Sequence, residues 1–301
     1  MIIDKKNLKE NFDKSLIFNE TLSKYSWFNI GGPAEIFFRP DNENQLIEFI
    51  KKIKNLNLEI NIIGAGSNTL IRDGGIKGIT IKLSSKFSYC NLFDNNTVEV
   101  GAATLDKNIS NFAMKNSISG MEFLSCIPGT IGGSIIMNSG CYNHEISKIL
   151  TSIKTINHHG EVKIIESKDI KFGYRKTNLP RDLIIISAML KGKKEEKNKI
   201  EKMQTSFIEK KKLTQPSQVK TCGSTFKNPK DKKAWDLIGQ SDCGGLKVGK
   251  AKISEKHFNF FINEGNASSS EVEELINLVK DKVYKKTGVN LELEIKLIGE
   301  N

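Results

Sequence analysis

Cysteine and histidine are scarce in this sequence, and none of them stands in a metal-binding pattern. The chain has 5 cysteines and 4 histidines among its 301 residues. No two cysteines form a CxxC pair, so we predict no zinc site and no other metal centre. An odd number of cysteines without a secretory signal fits a reducing cytosol, and we expect a cytoplasmic protein.

Long apolar runs are also missing. The N-terminus, MIIDKKNLKENFDKSL, lacks the apolar core of a signal peptide. No stretch approaches the roughly 18 consecutive apolar residues of a membrane span. We therefore expect no association with a membrane.

The charge is large but not concentrated in one segment. The formal net charge is +11, yet acidic residues interleave with the lysines, as in KGKKEEKNKIEKM at 191–203. Such interleaving is typical of a solvated helix face, and no nucleic-acid-binding motif is present. We expect no nucleic-acid partner, although a positive field attracts small anions such as nucleotides.

The sequence does contain glycine in loops of the kind that hold phosphates. The stretch IIGAGSNTLIRDGG, at 62–75, follows a strand-like run at 59–63. A Rossmann site needs a third glycine where Thr69 stands and a helix after it, but a turn is predicted at 70–75. The loop therefore offers backbone N–H groups to an anion without a long helix behind it. A plain turn between strands is the alternative.

A second glycine-rich stretch, IPGTIGGSIIMNSG, occupies 127–140. Two such loops in one domain favour an extended ligand that carries phosphates, because glycine lets a backbone approach a ligand closely. The alternative is that Gly129, Gly132 and Gly133 serve tight packing alone.

Hydrophobic periodicity predicts a mixed α/β chain. We expect Asp41 to cap the first helix, Ser270 and Glu273 to form a capping box, and Gly288 to end the last helix. The predicted helices are 42–54, one around 105–113, 193–213, 234–238 and 271–286; the predicted strands are 59–63, 78–83, 96–101, a hairpin of 151–157 with 161–166, 182–190, 257–263 and 290–298.

Several polar residues are candidates for chemistry, each with a plainer alternative. Arg175, in FGYRKTNLP, could clamp a carboxylate, or it could be a surface arginine. Ser224, in TCGSTFKNP, follows a glycine and could donate a proton; no Gly-x-Ser-x-Gly elbow marks it as a nucleophile, and a turn serine is the alternative. Glu292 and Glu294 lie in the last predicted strand. Their plainer interpretation is that they form its solvent-exposed face.

Together these stretches resemble one family, the UDP-N-acetylenolpyruvoylglucosamine reductases, which are flavoenzymes of bacterial cell-wall precursor synthesis. PGTIGG, GSTFKNP and a final LExE are specific as a set, although no piece is specific alone. The similar stretches follow the family's order over most of the chain: YSWFNIGGPAEIFF (25–38), GAGSNTLIRDGGIKG (64–78), GMEFLSCIPGTIGGSIIMNSGCYNHEI (120–146), FGYRKT (172–177), CGSTFKNP (222–229), SEKHFNFFIN (254–263) and LELEIKLIG (291–299).

The resemblance implies an α+β (mixed α/β) chain with two domains. An FAD-binding domain of the vanillyl-alcohol oxidase (PCMH) type would occupy 1–195, with one lobe at 1–57 and a second at 58–195. A C-terminal α+β substrate-binding domain would occupy 196–301. The phosphates at the Gly64 loop would then belong to FAD.

The resemblance also implies the reaction. NADPH reduces the flavin, and the flavin then reduces the enolpyruvyl ether of a UDP-sugar, whose adjacent carbon takes a proton. By position, Ser224 is the proton donor, Arg175 stabilises the enolate-like carboxylate, and Glu294 orients Arg175 or a hydrogen-bond chain.

The same resemblance assigns the binding residues and implies a monomer that acts on a small-molecule UDP-sugar. The expected substrate contacts are Tyr142, Tyr174, Lys227 and Asn228. The expected FAD contacts are Asn29, Gly31, Gly64, Ala65, Gly66, Ser67, Asn68, Thr69, Leu70, Pro128, Gly129, Thr130, Gly132, Gly133, Ser134 and Asn138.

The sequence departs from part of the family after Arg175. Some members carry a long insertion there with a tyrosine that closes over the nucleotide, whereas here only KTNLPR precedes the strand at Asp182. We therefore predict the shorter subtype. Two other functions stay open: an FAD-dependent alcohol oxidase of the same superfamily, disfavoured because neither glycine loop has a histidine for covalent flavin attachment, and a nucleotide-binding module without catalysis.

Overall fold

A computed structural model describes residues 5–301, with side chains from residue 8 onward. Two compact units are formed by alternating segments of the chain. Among the described residues, unit 1 comprises 5–18, 36–65 and 78–211, and unit 2 comprises 19–35, 66–77 and 212–301. The predicted domains are contiguous ranges, and their limits stay a prediction. Within 5–301, none of the helices has the length and apolarity that crossing a bilayer requires.

Helices and strands are both numerous and are mixed along the chain, as expected for an α+β fold. The helices are α1 (Lys5–Phe12), α2 (Glu43–Ile53), α3 (Asp106–Lys115), α4 (Ile131–Ile136), α5 (Lys197–Thr214), α6 (Ala234–Gln240) and α7 (Ser269–Thr287). The strands are β1 (Leu16–Thr21), β2 (Pro33–Phe38), β3 (Ile60–Ile62), β4 (Thr69–Ile71), β5 (Ile76–Ile81), β6 (Cys90–Leu92), β7 (Thr97–Gly101), β8 (Ile118–Ser119), β9 (Gly140–Cys141), β10 (His144–Glu145), β11 (Leu150–Ile156), β12 (Val162–Glu166), β13 (Phe172–Gly173), β14 (Lys176–Thr177), β15 (Ile184–Lys191), β16 (Lys193–Lys194), β17 (Lys247–Val248), β18 (Ala251–Ile253), β19 (Phe261–Asn263) and β20 (Lys296–Ile298).

Unit 1 contains a five-stranded sheet in the order β12-β11-β15-β7-β6. The predicted hairpin is confirmed, because Ile153 of β11 lies opposite Ile165 of β12 in an antiparallel pair. The predicted buried strand is confirmed as β15, which pairs with β11 and β7. One apolar cluster packs on this sheet together with α3 and α4.

A second apolar cluster in unit 1 forms around α2. The rings of Phe38 and Phe49 stack with centroids 3.7 Å apart, which fixes α2 on β2. Asn42, not Asp41, caps this helix: its side chain accepts a hydrogen bond from the Gln45 N–H at 2.9 Å. The prediction of Asp41 was wrong by one residue because the helix begins at Glu43, so the flanking extended residue is Asn42.

Unit 2 is built around α7, whose apolar stripe lies in one cluster with β18 and β19. The capping box is formed by Ser268 and Glu271, not by Ser270 and Glu273. The helix begins earlier than predicted. The Asp73 carboxylate accepts hydrogen bonds from the Ser269 N–H, so a backbone donor in the first turn of α7 already has a partner. The predicted stop is confirmed, since Gly288 has a left-handed φ of 69°.

Several predicted boundaries differ in the structure. Residues 193–194 form β16, so the connecting helix begins only at Lys197. Residues 257–260 form a turn, closed by the hydrogen bond from the Phe260 N–H to the His257 carbonyl, so β19 begins at Phe261. Residues 70–71, predicted as part of a turn, belong to β4. No helix follows this loop, as predicted.

The capping box gives a first test. Replacing Ser268 with alanine removes the acceptor for the Glu271 N–H. We expect Ser268→Ala to lower the free energy of unfolding by about 1 kcal/mol. The matched control is Ser270→Ala, at an exposed position two residues on, for which we expect a change within about 0.5 kcal/mol. Equal losses in urea unfolding would contradict the assignment of the cap.

Asp106 gives a second test, because it is fully buried at the start of α3. Burial raises its pKa from 3.8 to about 7, although the hydrogen bond from Ser134 opposes this rise. The folded state thus holds the proton more tightly than the unfolded state does. The free energy of unfolding therefore falls as the pH rises from about 4 to about 7 and changes no further above that.

Asp106→Asn keeps a neutral side chain with an oxygen that can still accept from Ser134. We expect its stability relative to the original chain to be greater at about pH 8 than at about pH 5, by up to a few kcal/mol. Thermal unfolding at the two pH values measures this difference. A difference that does not depend on pH would show that Asp106 is ionised in the folded protein at both.

Candidate active site

The predicted site residues are divided between the two units. Arg175 lies in unit 1, whereas Ser224 and Glu294 lie in unit 2. Unit 1 also holds Gly64, Ala65, Pro128, Gly129, Thr130, Gly132, Gly133, Ser134, Asn138, Tyr142 and Tyr174, and unit 2 also holds Asn29, Gly31, Gly66, Ser67, Asn68, Thr69, Leu70, Lys227 and Asn228.

The second glycine loop is tied to the chain by its own backbone groups. The N–H groups of Ile131 and Gly132 donate to the carbonyls of Thr104 and Ala102, both at 3.0 Å. The Ser134 N–H donates to the Thr130 carbonyl at 3.0 Å. These donors are used within the chain, so what the loop offers a ligand is mainly its small-residue surface.

The glycines of this loop serve different purposes. A Cβ added to Gly132 would lie 3.2 Å from the Ala102 carbonyl oxygen, so packing alone explains that glycine. Gly133 is exposed, and an added Cβ would meet only Thr130 Oγ1, at 3.9 Å. Nothing within the described part of the chain therefore requires a glycine at 133.

The two glycine loops meet within unit 1. A Cβ added to Gly64 would lie 2.6 Å from Thr130 Oγ1, so only glycine allows this approach. The Lys82 ammonium donates a hydrogen bond to the Gly64 carbonyl. Burial lowers the pKa of Lys82 to about 8. The loops are thus close enough to contact one ligand, with a cationic side chain beside them.

Arg175 occupies the turn of a two-strand hairpin formed by β13 and β14. Its backbone has a φ of 57°, which is unusual for an arginine. Its Nη2 donates to the Gly140 carbonyl at 3.0 Å, and its guanidinium carbon lies 5.1 Å from the ring centre of Tyr174. These contacts orient the guanidinium, and the role of Arg175 stays a prediction.

Asn138 contacts the same hairpin, whereas Tyr142 packs on α5. Asn138 is buried; its Nδ2 donates to the Gly173 carbonyl at 3.3 Å and its Oδ1 accepts from the Ser147 N–H at 3.0 Å. This side chain is therefore engaged in supporting the hairpin. The Tyr142 ring stacks on Phe207 at a centroid distance of 5.0 Å, and burial raises the pKa of its hydroxyl.

In unit 2, the remainder of the first glycine loop packs against residues 25–27. Gly66 has a φ of 68°, and a Cβ there would overlap the Tyr25 carbonyl oxygen. The Trp27 N–H donates to the Gly66 carbonyl at 3.1 Å. Glycine at 66 is thus required by the fold itself, whatever ligand the loop holds.

The N-terminal part of unit 2 holds two further predicted FAD contacts. Asn29 is exposed and has a left-handed φ of 53°, with its N–H bonded to the Ser26 carbonyl at 3.0 Å. A Cβ added to Gly31 would lie 2.9 Å from the Ile71 Cβ. Both residues shape the turn that follows the segment 25–28.

Ser224 and Glu294 lie on neighbouring segments. The Glu294 N–H donates to the carbonyl of Thr225 at 2.8 Å, and the residue before Thr225 is Ser224. Asn68 joins the glycine loop to the same place, since its Nδ2 donates to the Glu294 carbonyl at 3.2 Å. Both candidate side chains are half-buried. The structure therefore brings Ser224, Glu294 and the glycine loop together in unit 2.

Lys227 and Asn228 follow Ser224 but have partners of their own. Lys227 Nζ lies 3.1 Å from an oxygen of Glu292, which is an ion pair at the surface. The Asn228 side-chain oxygen accepts from the Ala234 N–H at 3.0 Å and so helps to begin α6. This bond uses the oxygen of the Asn228 amide and not its nitrogen.

Sequence analysis does not identify two residues near the site, Lys82 and Asp106. Lys82 stands in an apolar strand pattern, and its ammonium reaches the glycine loop only through the fold. Asp106 is indistinguishable in sequence from an ordinary first-turn acid, yet it is buried below α4 with Ser134 Oγ donating to it at 2.6 Å. The one sequence signal for either residue is that Lys82 stands inside an apolar strand pattern.

Family models match most of the chain. Residues 34–166 match the family described as "FAD binding domain", and residues 215–298 match "UDP-N-acetylenolpyruvoylglucosamine reductase, C-terminal domain". The solved structure of UDP-N-acetylenolpyruvylglucosamine reductase from Thermus caldophilus is 30% identical, with a TM-score of 0.81, and the match covers 94% of this chain and 98% of that one.

Curated relatives agree with these matches. A UDP-N-acetylenolpyruvoylglucosamine reductase from Pelagibacter ubique is 47% identical over 284 residues, which is 93% of this chain and 94% of that protein. The corresponding protein of Rickettsia bellii strain RML369-C is 43% identical over 279 residues, covering 93% and 92% of the two chains. The chain therefore belongs to the UDP-N-acetylenolpyruvoylglucosamine reductase family.

Proposed function

We propose that this protein is an FAD-containing, NADPH-dependent oxidoreductase of peptidoglycan precursor synthesis. It reduces the enolpyruvyl group of UDP-N-acetyl-3-O-(1-carboxyvinyl)-glucosamine and yields UDP-N-acetylmuramate. The observation that carries the proposal is the placement of Ser224 beside the Glu294 segment through the Thr225 carbonyl, in a chain of this family. The half-buried hydroxyl of Ser224 and the half-buried carboxylate of Glu294 suit the delivery of a proton.

The residues present fit FAD at the two glycine loops. The glycine at 133 has no packing reason within the described residues, and open space lies above it, as the surface of a bound flat group requires. The residues that would hold FAD are those of 64–70, 128–134, Asn29, Gly31 and, through its backbone, Asn138. FAD held there would supply the hydride transfer from NADPH to the vinyl carbon of the substrate.

The proposed roles of the side chains follow from the charge that develops on the substrate. Ser224 Oγ donates the proton to the carbon that bears the carboxylate. Arg175, fixed by its bond to the Gly140 carbonyl, stabilises the enolate-like carboxylate with its planar donors. Glu294 orients the hydrogen-bond chain that supplies Ser224. A positioned general acid contributes roughly 10²–10⁴-fold to such a step.

The remaining contacts belong to the sugar nucleotide. Tyr142, Tyr174, Lys227 and the amide nitrogen of Asn228 are proposed to contact substrate or its phosphates. The proposal also includes a cytoplasmic monomer of the shorter subtype, with an FAD-binding domain at 1–195 and a substrate-binding domain at 196–301. Size-exclusion chromatography with light scattering tests the monomer.

The first prediction concerns FAD and uses Gly133. Gly133→Val places a side chain in space that is open in the protein but covered by the proposed cofactor. We expect folded protein that purifies with little or no FAD, read from its visible spectrum and its circular dichroism. Gly66→Ala is the contrasting variant: it clashes with the Tyr25 carbonyl and should lose stability itself. A full complement of FAD in Gly133→Val would contradict the contact.

The second prediction separates the two half-reactions at Ser224. Reduction of the flavin by NADPH needs no proton at carbon, whereas reduction of the enolpyruvyl group does. Ser224→Ala should therefore bleach with NADPH at nearly the normal rate and recover its colour with substrate about 10²–10⁴-fold more slowly. Ser224→Cys should keep partial activity, because a thiol also donates a proton.

Stopped-flow absorbance measures each half-reaction separately, and retained FAD checks the fold of each variant. Equal slowing of both halves in Ser224→Ala would mean that Ser224 shapes the pocket and is not the acid. Unchanged rates in both halves would return Ser224 to the role of a turn residue.

A further inference from the structure

The first glycine-rich stretch ends in Arg72-Asp73-Gly74-Gly75, named here the RDGG turn, to which the proposed function assigns no role. The turn lies in unit 2 directly after β4, and the hydrogen bond from the Gly75 N–H to the Arg72 carbonyl, at 3.0 Å, closes it. Its residues contact parts of unit 2 that are distant in the sequence, and these contacts lead to the candidate active site.

Arg72 joins the turn to α7 and to the C-terminal segment 296–300. Its Nε and Nη2 donate to the two carboxylate oxygens of Glu273, both at 2.8 Å, and its Nη1 donates to the Gly299 carbonyl at 3.3 Å. The Arg72 N–H also donates to the Ile298 carbonyl at 2.9 Å. A single exposed ion pair stabilises little, but this pair is bidentate and belongs to a network, which is the geometry in which an arginine fixes its partners.

Asp73 and Gly74 bring the same two elements to the turn. The Asp73 carboxylate accepts from the Ser269 N–H at 2.9 and 3.0 Å, and the Asp73 N–H donates to Ser269 Oγ at 2.9 Å. The Gly74 N–H donates to the Glu300 carbonyl at 2.9 Å. A Cβ on Gly74 would lie 2.6 Å from that carbonyl oxygen, so glycine permits this approach.

The C-terminal segment carries these contacts toward Glu294. β20 pairs in parallel with β4, and the Lys296 N–H donates to the Asn68 carbonyl at 2.9 Å. The Asn68 side chain donates to the Glu294 carbonyl at 3.2 Å. Glu294 thus lies two residues before a strand whose other end is bonded to the RDGG turn. The backbone position of Glu294 therefore depends on where the turn holds that strand.

We propose that Arg72 and Glu273 are positioning residues for the reaction: through β20 they hold the segment of Glu294 against that of Ser224. Each acts through the strand and not on the substrate. The inference rests on the proposed function, because it takes Glu294 and Ser224 as the groups that serve the reduction of the enolpyruvyl substrate. Reduction of the flavin by NADPH needs no proton at carbon, so only the second half-reaction should depend on the pair.

Glu273→Gln tests the pair, because it keeps the size of the side chain and removes its charge. The matched control is Glu274→Gln, the same change at the exposed neighbouring position of α7. At saturating substrate, reoxidation of the FAD-loaded variant should be slower by roughly ten- to a hundredfold, the effect of a small displacement at a catalytic site. Reduction by NADPH should keep nearly the original rate. Stopped-flow absorbance measures both halves, and the control should match the original chain in both.

Variants of the partner show whether the two residues act as one unit. Arg72→Met should slow reoxidation as much as Glu273→Gln does, and the double variant should lose no more than either single variant. Arg72→Lys keeps the charge but not the planar fork, so it should not restore the rate. FAD content and urea unfolding identify a variant that does not fold. If Arg72→Met is one, Glu273→Gln carries the test.

Amide hydrogen exchange gives a readout that does not depend on activity. The N–H groups of Glu294 and Lys296 are bonded to the segments that the pair is proposed to align. Both should exchange faster in Glu273→Gln than in Glu274→Gln. The N–H of Val279, in the buried stripe of α7, should exchange alike in the two variants, which separates local loosening from global unfolding.

Two results would overturn the inference. In one, folded Glu273→Gln matches Glu274→Gln in both reoxidation and exchange. In the other, both half-reactions slow equally, which would mean that the pair serves the fold or the cofactor and not Glu294. A failure of the proposed function looks different, because the original chain itself would then not be reoxidised by the enolpyruvyl sugar. Exchange at Glu294 would still show whether the pair holds the segment.

Discussion

The backbone hydrogen bond from Glu294 to the carbonyl of Thr225 is the interaction on which the arrangement in unit 2 depends. The segment 291–298 changes its partner along its length: Leu293 bridges Phe226, Glu294 bonds to Thr225, and β20 then pairs in parallel with β4. Because the last two partners come from distant parts of the chain, the segment aligns Ser224 with the glycine loop at 66–70. Without that bond, nothing would align Glu294 with Ser224, and it would be an ordinary glutamate on a terminal strand.

In unit 1, the arrangement of the candidate site depends on close approaches between segments of the backbone. Gly64 can face Thr130 only because it has no Cβ, and Gly132 packs against Ala102 for the same reason. Arg175 sits in a left-handed turn conformation and is held by the Gly140 carbonyl. Strain of this kind at a candidate catalytic residue is compatible with a function that the surrounding structure stabilises.

The elements that could be predicted from sequence are those with local signals. The buried strand β15, the β11–β12 hairpin, the Gly288 stop and the family were all readable, because alternation, turn residues and motif order are properties of short stretches. Contacts between residues that are far apart in the sequence could not be predicted. Asp73 moves the start of α7 because its carboxylate accepts from the Ser269 N–H. The segment at 290–295, predicted as a strand, has one isolated bridge, between Leu293 and Phe226.

The most direct measurement of the central claim uses the unmodified protein. Purified yellow enzyme is mixed anaerobically with NADPH, then with the enolpyruvyl UDP-sugar, while the flavin absorbance is followed and the sugar nucleotide is weighed by mass spectrometry. The account predicts bleaching by NADPH, return of colour on addition of the sugar, and a product heavier by two hydrogens. A protein without flavin, or a reduced flavin that the enolpyruvyl sugar does not reoxidise, would contradict it.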